Sequence, residues 1–238
     1  MRLAVISDVH GNLHALDAVL EDIARQRAEQ TVVLGDFVSG PFDPCGVADR
    51  FIELGLVSVR GNHDRFITDG RADDWAIDAL ARSLLDERQA AWLAGIPATA
   101  TLGDEVFLCH GTPRDDNTLW LDGVGPDGKL FHRSRESIEA EASGFPFPVL
   151  LCGHSHIPRT LRLADRRLVV NPGSVGLPMA MGSTDSRYAI VERRDGDWSV
   201  SLRAIPYDHD GAARQARDNG YENWAEAVST GWPLPRDL

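Results

Sequence analysis

The first half of the chain alternates short apolar runs with segments of helical periodicity. Runs rich in β-branched residues occupy residues 3–7, 31–35 and 56–61. Helical patterns follow at residues 13 to about 27 and around 47–54, and a mostly helical region runs from about 73 to 93. Strands interleaved with helices are typical of βαβ units, so this half predicts a largely parallel sheet.

The second half has a different pattern. Apolar runs at 105–109 and 148–152 predict two more strands, separated by a polar excursion over residues 112–148. A helix is expected within that excursion, near residues 134–142. We expect substrate choice to be set in this excursion, which contains polar side chains able to face a site: Arg114, Asp115, Asp116 and Arg133.

After residue 158 the pattern becomes hairpin-like. Residues 160–163 and 167–171 flank a polar turn, and residues 186–194 and 197–205 flank Asp195–Gly196, which is a strong hairpin signal. The tail, residues 208–238, predicts one amphipathic helix around 211–228 and an end rich in proline. The fold class predicted from these patterns is α/β, with residues 1–238 forming a single domain and the second half antiparallel.

Composition narrows the class of protein. The chain has 238 residues, of which 43% are hydrophobic and 25% charged, which is ordinary for a globular protein. Its apolar runs fall short of the roughly 18 to 20 residues that span a bilayer. Three cysteines without a metal-binding spacing (Cys45, Cys109 and Cys152) do not suggest a disulfide framework. We therefore expect a cytoplasmic protein without a membrane partner.

The balance of acidic and basic residues indicates which classes of partner the protein can bind. There are 36 acidic and 24 basic residues, so the formal net charge is −12. Tight, non-specific nucleic-acid binding needs a cluster of Lys and Arg, and the sequence has none, so a nucleic-acid partner is not expected. A small phosphate ester is still compatible with this charge, because bound cations can reverse the local field. The sequence leaves open whether the protein forms a homo-oligomer.

Polar residues come directly after each of the first five strand-like runs. In open α/β sheets the carboxyl ends of the strands form the edge where ligands bind. Carboxylate, amide and imidazole groups together suit manganese, iron, zinc or cobalt. The residues that follow the five runs are Asp8 and His10; Asp36; Asn62, His63 and Asp64; His110; and His154 and His156.

This chemistry predicts a centre with two metal ions. Two ions about 3.5 to 4 Å apart can share a hydroxide and hold a phosphate during in-line displacement. One carboxylate must bridge them, and Asp36, alone at its strand end, is the candidate. Each residue also has a structural alternative. Asp8 alone could cap the next helix, Asn62 could stabilise a turn, and His63 could be a structural histidine.

The series Asp-Val-His (8–10), Gly-Asp (35–36), Gly-Asn-His-Asp (61–64), His-Gly (110–111) and Gly-His-Ser-His (153–156) resembles the calcineurin-like metallophosphoesterase superfamily. The blocks occur in the order typical of that family and span about two-thirds of the chain. The resemblance implies two packed mixed β-sheets flanked by helices. It also implies an enzyme that hydrolyses phosphate esters with a hydroxide activated by two divalent or trivalent metal ions, such as manganese, iron or zinc.

The resemblance also implies residue roles. One metal ion would be held by Asp8, His10, His156 and the bridging Asp36. The other would be held by Asp36, Asn62, His110 and His154. His63 would lie over the phosphate and assist the leaving oxygen, and Asp64 would orient its ring. Substrate contacts are expected from Asn62, His63 and Arg114.

Looser matches resemble the small bacterial phosphodiesterase branch of the family, which includes diadenosine tetraphosphate hydrolase-like proteins. They comprise the start 7–12, the loop 35–41, His-Gly-Thr-Pro (110–113) and residues 171–176, where Asn171 and Ser174 either shape a turn or lie near the metals. Many relatives have a second Asp soon after Gly-Asp, whereas here residues 37–41 intervene before Asp43. Because of that difference, the resemblance does not extend to the loop on the substrate side.

Other histidines and the tryptophans are expected outside the site. His14 lies one helical turn beyond His10 and is expected at the surface or behind the ligands, and His132 and His209 at the surface. Six tryptophans are expected to pack in the core or between helices: Trp75, Trp92, Trp120, Trp198, Trp224 and Trp232.

Small phosphodiesters or nucleotides are the expected substrates. The alternatives are a phosphomonoesterase or protein phosphatase, a diadenosine tetraphosphate hydrolase, and a metal-binding scaffold without activity.

Overall fold

Two five-stranded sheets form the centre of the fold in the computed structural model, which describes residues 1–232. The proline-containing end predicted for the tail lies outside the described residues. In chain order the strands are β1 (Arg2–Ile6), β2 (Gln30–Val33), β3 (Val57–Ser58), β4 (Ala100–Leu102), β5 (Val106–Leu108), β6 (Asp122–Val124), β7 (Leu130–His132), β8 (Val149–Leu151), β9 (Arg159–Arg162), β10 (Leu168–Asn171), β11 (Ser186–Arg194) and β12 (Asp197–Ile205).

Helices flank these sheets on their outer faces. They are α1 (Leu13–Gln26), α2 (Pro44–Leu54), α3 (Asn62–Thr68), α4 (Ala76–Leu84), α5 (Glu87–Ala94), α6 (Arg135–Ala142), α7 (His209–Asp218) and α8 (Glu222–Thr230), with a short 3-10 turn at Ala72–Asp74. Asn12 caps α1 by accepting from the Ala15 amide at 3.1 Å, and Asp43 caps α2 by accepting from the Gly46 amide at 2.8 Å.

Both sheets are mixed. The first has the order β12-β11-β1-β2-β3, in which β1, β2 and β3 are parallel and β11 and β12 are antiparallel. The second has the order β4-β5-β8-β10-β9, in which β5, β8 and β10 are parallel. The edge strands β4 and β9 are antiparallel to their neighbours. The carboxyl ends of three parallel strands in each sheet therefore point the same way.

Alternation along the central strands explains the layering. Leu3 and Val5 of β1 pack between the two sheets, with residues of β5, β8 and β10. Ala4 and Ile6 face the opposite way and pack against the helices on the outer side. Because successive side chains of a strand point to opposite faces, a strand buried on both faces is apolar throughout. Both faces of β1 are therefore core.

The predicted fold class, with two packed mixed sheets and flanking helices, is confirmed. Both predicted hairpins after residue 158 are present, as β9–β10 and β11–β12. The expectation of an antiparallel second half is wrong in part, since β8 and β10 join β5 in parallel.

The tail is also different from the prediction. It contains two helices, α7 and α8, where one was expected. The chain turns between them at Gly220, which has a φ of +87°, a backbone conformation that glycine adopts without strain. Within the described residues, no helix is both long enough and apolar enough to cross a membrane.

Candidate metal centre

The loops that follow the parallel strands of both sheets meet at one site. The loop after β1 is held to the loop after β2, because the Val9 and His10 amides both donate to the Asp36 carbonyl, at 2.8 and 3.0 Å. The two sheets are joined there by the His154 amide, which donates to the Asp8 carboxylate at 3.2 Å. Backbone hydrogen bonds therefore fix the relative positions of loops that are far apart in sequence.

The predicted ligands form two groups of metal-binding atoms. Asp8, His10 and His156 make one group, and Asp36, His110 and His154 make the other. Within each group the candidate ligand atoms all lie within 4.8 Å of one another.

Asp36 lies between the two groups. Its Oδ2 atom is 3.2 Å from His110 Nε2 in its own group and 3.8 Å from His10 Nε2 in the other. Asn62 Oδ1 adds a further oxygen, 3.1 Å from His110 Nε2. The structure thus brings together all seven residues predicted as ligands.

Backbone carbonyls hold the far side of the imidazole rings. Nδ1 donates to the Ser39 carbonyl at 2.6 Å in His10, to Leu34 at 2.6 Å in His110, and to Leu177 at 2.7 Å in His156. A carbonyl oxygen can only accept, so each Nδ1 carries a proton and each ring turns its Nε2 towards the centre. This arrangement is typical of metal-ligating histidines.

The inward-facing atoms are acceptors that suit a cation and repel one another. His10 Nε2 lies only 3.1 Å from His156 Nε2. Both rings already use the N–H at Nδ1 to donate to a backbone carbonyl. Two lone pairs facing each other in a buried site repel unless positive charge lies between them. His110 Nε2 likewise faces two oxygen acceptors, from Asn62 and Asp36. The donor set therefore fits metal ions.

Electrostatics at the centre follow from burial and from two carboxylates. Burial lowers the pKa of His10 well below its usual value and lowers the pKa of His154 to about 3, so both favour the neutral form that binds metal. For His110, burial opposes protonation, but the Asp36 charge outweighs it and raises the pKa to about 10. The Asp36 side of the site therefore attracts positive charge.

Five of the seven predicted ligands have a left-handed backbone. Non-glycine residues rarely adopt this conformation, which costs on the order of 1 kcal/mol or more for each residue. Their φ angles are +56° for Asp8, +49° for His10, +56° for Asp36, +67° for His154 and +58° for His156. Strain of this kind clusters at functional sites, because the surrounding structure must impose it.

Close packing against glycine lets these loops approach. An added Cβ on Gly61 would lie 2.0 Å from Asp36 Oδ1, and one on Gly153 would lie 2.0 Å from Ser7 Oγ. Neither position has room for a larger residue, so glycine at these two strand ends is required by the site.

His63 lies beside the centre on α3, which begins at Asn62. Its ring is 5.7 Å from the His10 ring, and it is one of the residues that line the cavity over the metal groups. Its Nδ1 contacts both oxygens of Asp78 at 3.0 Å. Burial lowers the pKa of His63, but the Asp36 charge and the Asp78 hydrogen bond outweigh it, and the net shift is upward.

The expectation that Asp64 orients the His63 ring is wrong. The Asp64 carboxylate accepts three backbone amides, from Asp36 at 2.7 Å, Gly61 at 2.8 Å and Phe37 at 2.9 Å. It points away from the ring because it holds the loop after β2 against the start of α3. Burial, followed by the Asp36 charge, raises the pKa of Asp64 to about 7 although its amide partners favour the carboxylate.

Asp78 was missed by sequence reasoning. It is fully buried on α4 and accepts a short hydrogen bond from the Ser39 hydroxyl as well as from His63. Ser39 in turn accepts from His10 through its carbonyl, so one residue of the loop after β2 contacts both a predicted ligand and the partner of His63. Asp78 lies inside a helix, 15 residues after His63, so no local motif in the sequence indicated this contact.

Residues expected around the centre are placed as follows. Asn171 donates to the Gly153 carbonyl at 2.6 Å, and Ser174 donates to the Asp8 carbonyl at 2.7 Å, so both shape the ligand loops. His14 is half-buried beside Asp208, and His132 is exposed. His209 is only half-buried, so the expectation of a surface residue holds in part.

Arg114 is occupied elsewhere. Its guanidinium donates to the Glu141 carbonyl at 2.6 Å and to the Ser143 carbonyl, and lies 4.8 Å from the centre of the Phe145 ring. These contacts tie the excursion to the end of α6. Arg114 also lines a cavity of about 420 Å³ that touches His110. Its predicted contact with substrate stays a prediction.

Two donor groups of carboxylate and imidazole at the strand ends of a two-sheet α/β fold are typical of metal-dependent hydrolases. Residues 1–196 match the family model described as a calcineurin-like phosphoesterase superfamily domain. The chain therefore belongs to the calcineurin-like phosphoesterase superfamily, and the predictions of this family and of a hydrolase acting on phosphoester bonds are confirmed.

Three relatives illustrate the similarity. The chain is 28% identical to phosphodiesterase YfcE of Escherichia coli K12, over 81% of this chain and 88% of that protein. It is 26% identical to protein MJ0912 of Methanocaldococcus jannaschii, over 93% of this chain and 94% of that protein. The crystal structure of a metallophosphoesterase from Sphaerobacter thermophilus superposes with a TM-score of 0.79 and 25% identity, covering 98% of this chain and all of that chain.

Proposed function

We propose that the chain hydrolyses small phosphodiesters or nucleotides with two metal ions held by Asp8, His10, His156, Asn62, His110 and His154, with Asp36 bridging the pair. The observation that carries the proposal is the pair of donor groups with Asp36 between them and with histidine rings locked by backbone carbonyls. The similarity to phosphodiesterase YfcE supports the diester as substrate.

The metal ions, when bound, supply positive charge for the phosphate oxygens and activate water for attack on phosphorus. Manganese, iron and zinc all suit this set of ligands. The carbonyls of Leu34, Ser39 and Leu177 hold the rings in the orientation that binding requires. Burial of the aspartates keeps bulk water from competing with the phosphate.

His63 assists the leaving oxygen. With Nδ1 bound to the Asp78 carboxylate, Nε2 is the ring atom free to donate a proton to that oxygen. The Asp78 carboxylate, 3.0 Å from Nδ1, favours the protonated ring, which is the form that can donate this proton. Asp78 acts as a positioning residue because it touches the ring and not the substrate.

The test is hydrolysis of bis-para-nitrophenyl phosphate and para-nitrophenyl phosphate by protein stripped of metal and then reloaded with manganese, iron or zinc. Asp36→Asn and His63→Ala are expected to abolish most turnover, while His14→Ala, at a half-buried histidine outside the donor groups, serves as the matched control. Metal-dependent turnover that favours the diester supports the proposal.

Preference for the monoester would instead make the protein a phosphomonoesterase that uses the same centre. Absence of turnover with all three metals, on both esters and on diadenosine tetraphosphate, would contradict the proposal and favour a metal-binding scaffold.

A further inference from the structure

Two tryptophans flank the histidines of the centre. Trp224 of α8 has its ring 6.0 Å from the His10 ring, and Trp75, which precedes α4, has its ring 5.8 Å from the His63 ring. His10 and His63 are themselves 5.7 Å apart. The four aromatic rings therefore form a continuous series, each edge-on to the next, across the site where a phosphate would bind.

The cavity over the donor groups has one polar and one apolar side. It measures about 160 Å³, and besides the polar side chains it is lined by Ile77, Leu177, Met179 and Trp224. No Lys or Arg lines it among the described residues. Within this cavity, a second phosphate of a polyphosphate chain would meet apolar surface and no Lys or Arg, whereas an uncharged substituent would make apolar contacts.

The volume of the cavity limits how much of a substrate it can enclose. Sites that bury an entire ligand usually measure about 300 to 1,000 Å³, so this cavity encloses the phosphate and only the nearest part of its substituent. The rest lies outside the cavity. Trp75, whose ring is 5.8 Å from the ring of the cavity residue His63, is 44% exposed, so part of an indole ring is open to solvent beside the cavity.

Trp75 and Trp224 differ in burial. Trp224 is 2% exposed and belongs to a core cluster with Phe42 and Leu177, so part of its role is structural. Trp75 belongs to no core cluster among the described residues, which contradicts its expected packing role. Trp75 therefore lies beside the cavity residue His63 with part of its ring open to solvent.

We propose, on the basis of the proposed function, that Trp75 and Trp224 select substrates whose phosphate carries an aromatic ring, either an aryl group or a nucleobase. The ring lies against the Trp224 side of the cavity or over the Trp75 face, and the phosphate anchors it there. Aromatic pairs gain energy beyond the apolar area that they bury. An ester with a small alkyl substituent lacks this contact and is expected to bind more weakly.

The test uses phosphonates, which the enzyme cannot hydrolyse, so binding is read without turnover. Phenylphosphonate and methylphosphonate carry the same head group and differ only in the ring. By calorimetry on manganese-loaded protein, we expect phenylphosphonate to bind about tenfold more tightly. Adenosine 5′-monophosphate against ribose 5-phosphate provides the corresponding pair for a nucleobase, and shows which source of the ring is preferred.

Variants of the two tryptophans test whether they cause the preference for phenylphosphonate. Trp75→Ala, at an exposed position, is expected to reduce the phenyl-to-methyl ratio by about threefold or more, with methylphosphonate binding unchanged. Trp224→Phe keeps an aromatic ring in the core and should reduce the ratio less than Trp224→Ala. The matched control is Phe131→Ala, which removes an exposed aromatic ring lining a separate cavity and should leave the ratio unchanged.

Equal binding of both phosphonates by the wild type, or a ratio unaffected by both tryptophan variants, would overturn this inference. If metal-dependent ester hydrolysis persists in that case, the proposed function stands without it. If neither phosphonate binds and no ester is hydrolysed, the proposed function fails as well.

Discussion

At the scale of single residues, the link between His63 and Asp78 depends on a helix that follows the ligand loop in sequence. Asp78 is completely buried and holds Nδ1 of His63, so the ring orientation depends on a residue of α4. We expect Asp78→Asn to lower kcat by about 10- to 100-fold, because an amide can present its N–H to the ring and disturb the tautomer. KM and metal content should change little.

Steady-state kinetics together with metal analysis check this expectation. Asp74→Asn, at an exposed aspartate paired with Arg71, is the matched control. A normal kcat in Asp78→Asn would show that the contact is not needed for turnover.

Asp64 should behave differently from its neighbour His63. Removing its carboxylate in Asp64→Ala leaves three buried amides unpaired, and each lost partner costs about 1 to 3 kcal/mol. We expect a lower melting temperature and weaker metal binding, measured by thermal unfolding and metal titration. His63→Ala should lose turnover with near-normal stability. If Asp64→Ala melts like the wild type, the carboxylate does not hold the loops as the hydrogen bonds indicate.

The residues of the two donor groups could be predicted from sequence because each follows an apolar run, and the strand direction then places them together. Asp78 could not, because it lies inside a helix, 15 residues after His63, with no local motif. The role of Asp64 was misjudged for a similar reason. Adjacency to His63 in sequence suggested contact, whereas on α3 the two side chains point in different directions.

At the scale of elements, a buried carboxylate ties α1 to the hairpin β11–β12. Asp22 is 6% exposed and accepts from the Tyr188 hydroxyl at 2.5 Å and from Arg203 at 2.8 Å. Asp22→Ala would leave both partners without their acceptor, which should cost about 2 to 3 kcal/mol of unfolding free energy. Asp17→Ala, in the same helix but in an exposed ion pair with Arg50, should cost about 0 to 1 kcal/mol. Urea denaturation of both variants measures the difference, and equal losses would contradict it.

The same carboxylate predicts a dependence on pH. Burial raises the pKa of Asp22, but Tyr188 and Arg203 outweigh it, and the net shift is downward. A depressed folded-state pKa contributes stability above the unfolded value of about 3.9, and that stability is lost as pH falls through the folded value. The stability difference between wild type and Asp22→Asn should therefore shrink below about pH 4. A difference that stays constant down to pH 2 would contradict this prediction.

Long, strongly patterned elements were predicted well and short ones were not. The apolar stripe of α1 and the Asp195–Gly196 turn of β11–β12 are local signals, and both elements are present. The helix α3 and the hairpin β6–β7 were missed, because the first begins on the ligand motif itself and the second consists of three-residue strands. Their formation depends on tertiary contacts that local patterns do not record.

At the scale of the whole molecule, bound metal should stabilise the fold. A ligand that binds only the folded state at 100 times its Kd adds about 2.7 kcal/mol, which raises the melting temperature of a chain of this size by about 5 to 10 °C. We expect scanning calorimetry to show this difference between manganese-loaded and chelator-treated protein. Asp36→Asn should lose most of the shift. Identical melting with and without metal in the wild type would contradict the centre.

The parallel strands of the first sheet follow from the alternation of strands and helices, and the resemblance to the family implied the pairing of two sheets. The parallel pairing of β5, β8 and β10 in the second sheet was not predicted. The position of α7 and α8 did not follow from either. Their docking beside the centre, with Trp224 against His10, depends on contacts between residues about 200 positions apart. The assignment of residues 1–238 to a single domain, the cytoplasmic location and the oligomeric state stay predictions.

The left-handed backbone of five ligands bears on how such a sequence changes over generations. Selection for stability alone would favour glycine at residues 8, 10, 36, 154 and 156, since glycine takes up that conformation without strain. A descendant that no longer needed metal would therefore relieve strain by the very substitutions that remove its ligands, and those losses would be hard to reverse. With the proposed metal centre, aspartate and histidine are the residues expected at these positions in spite of the strain.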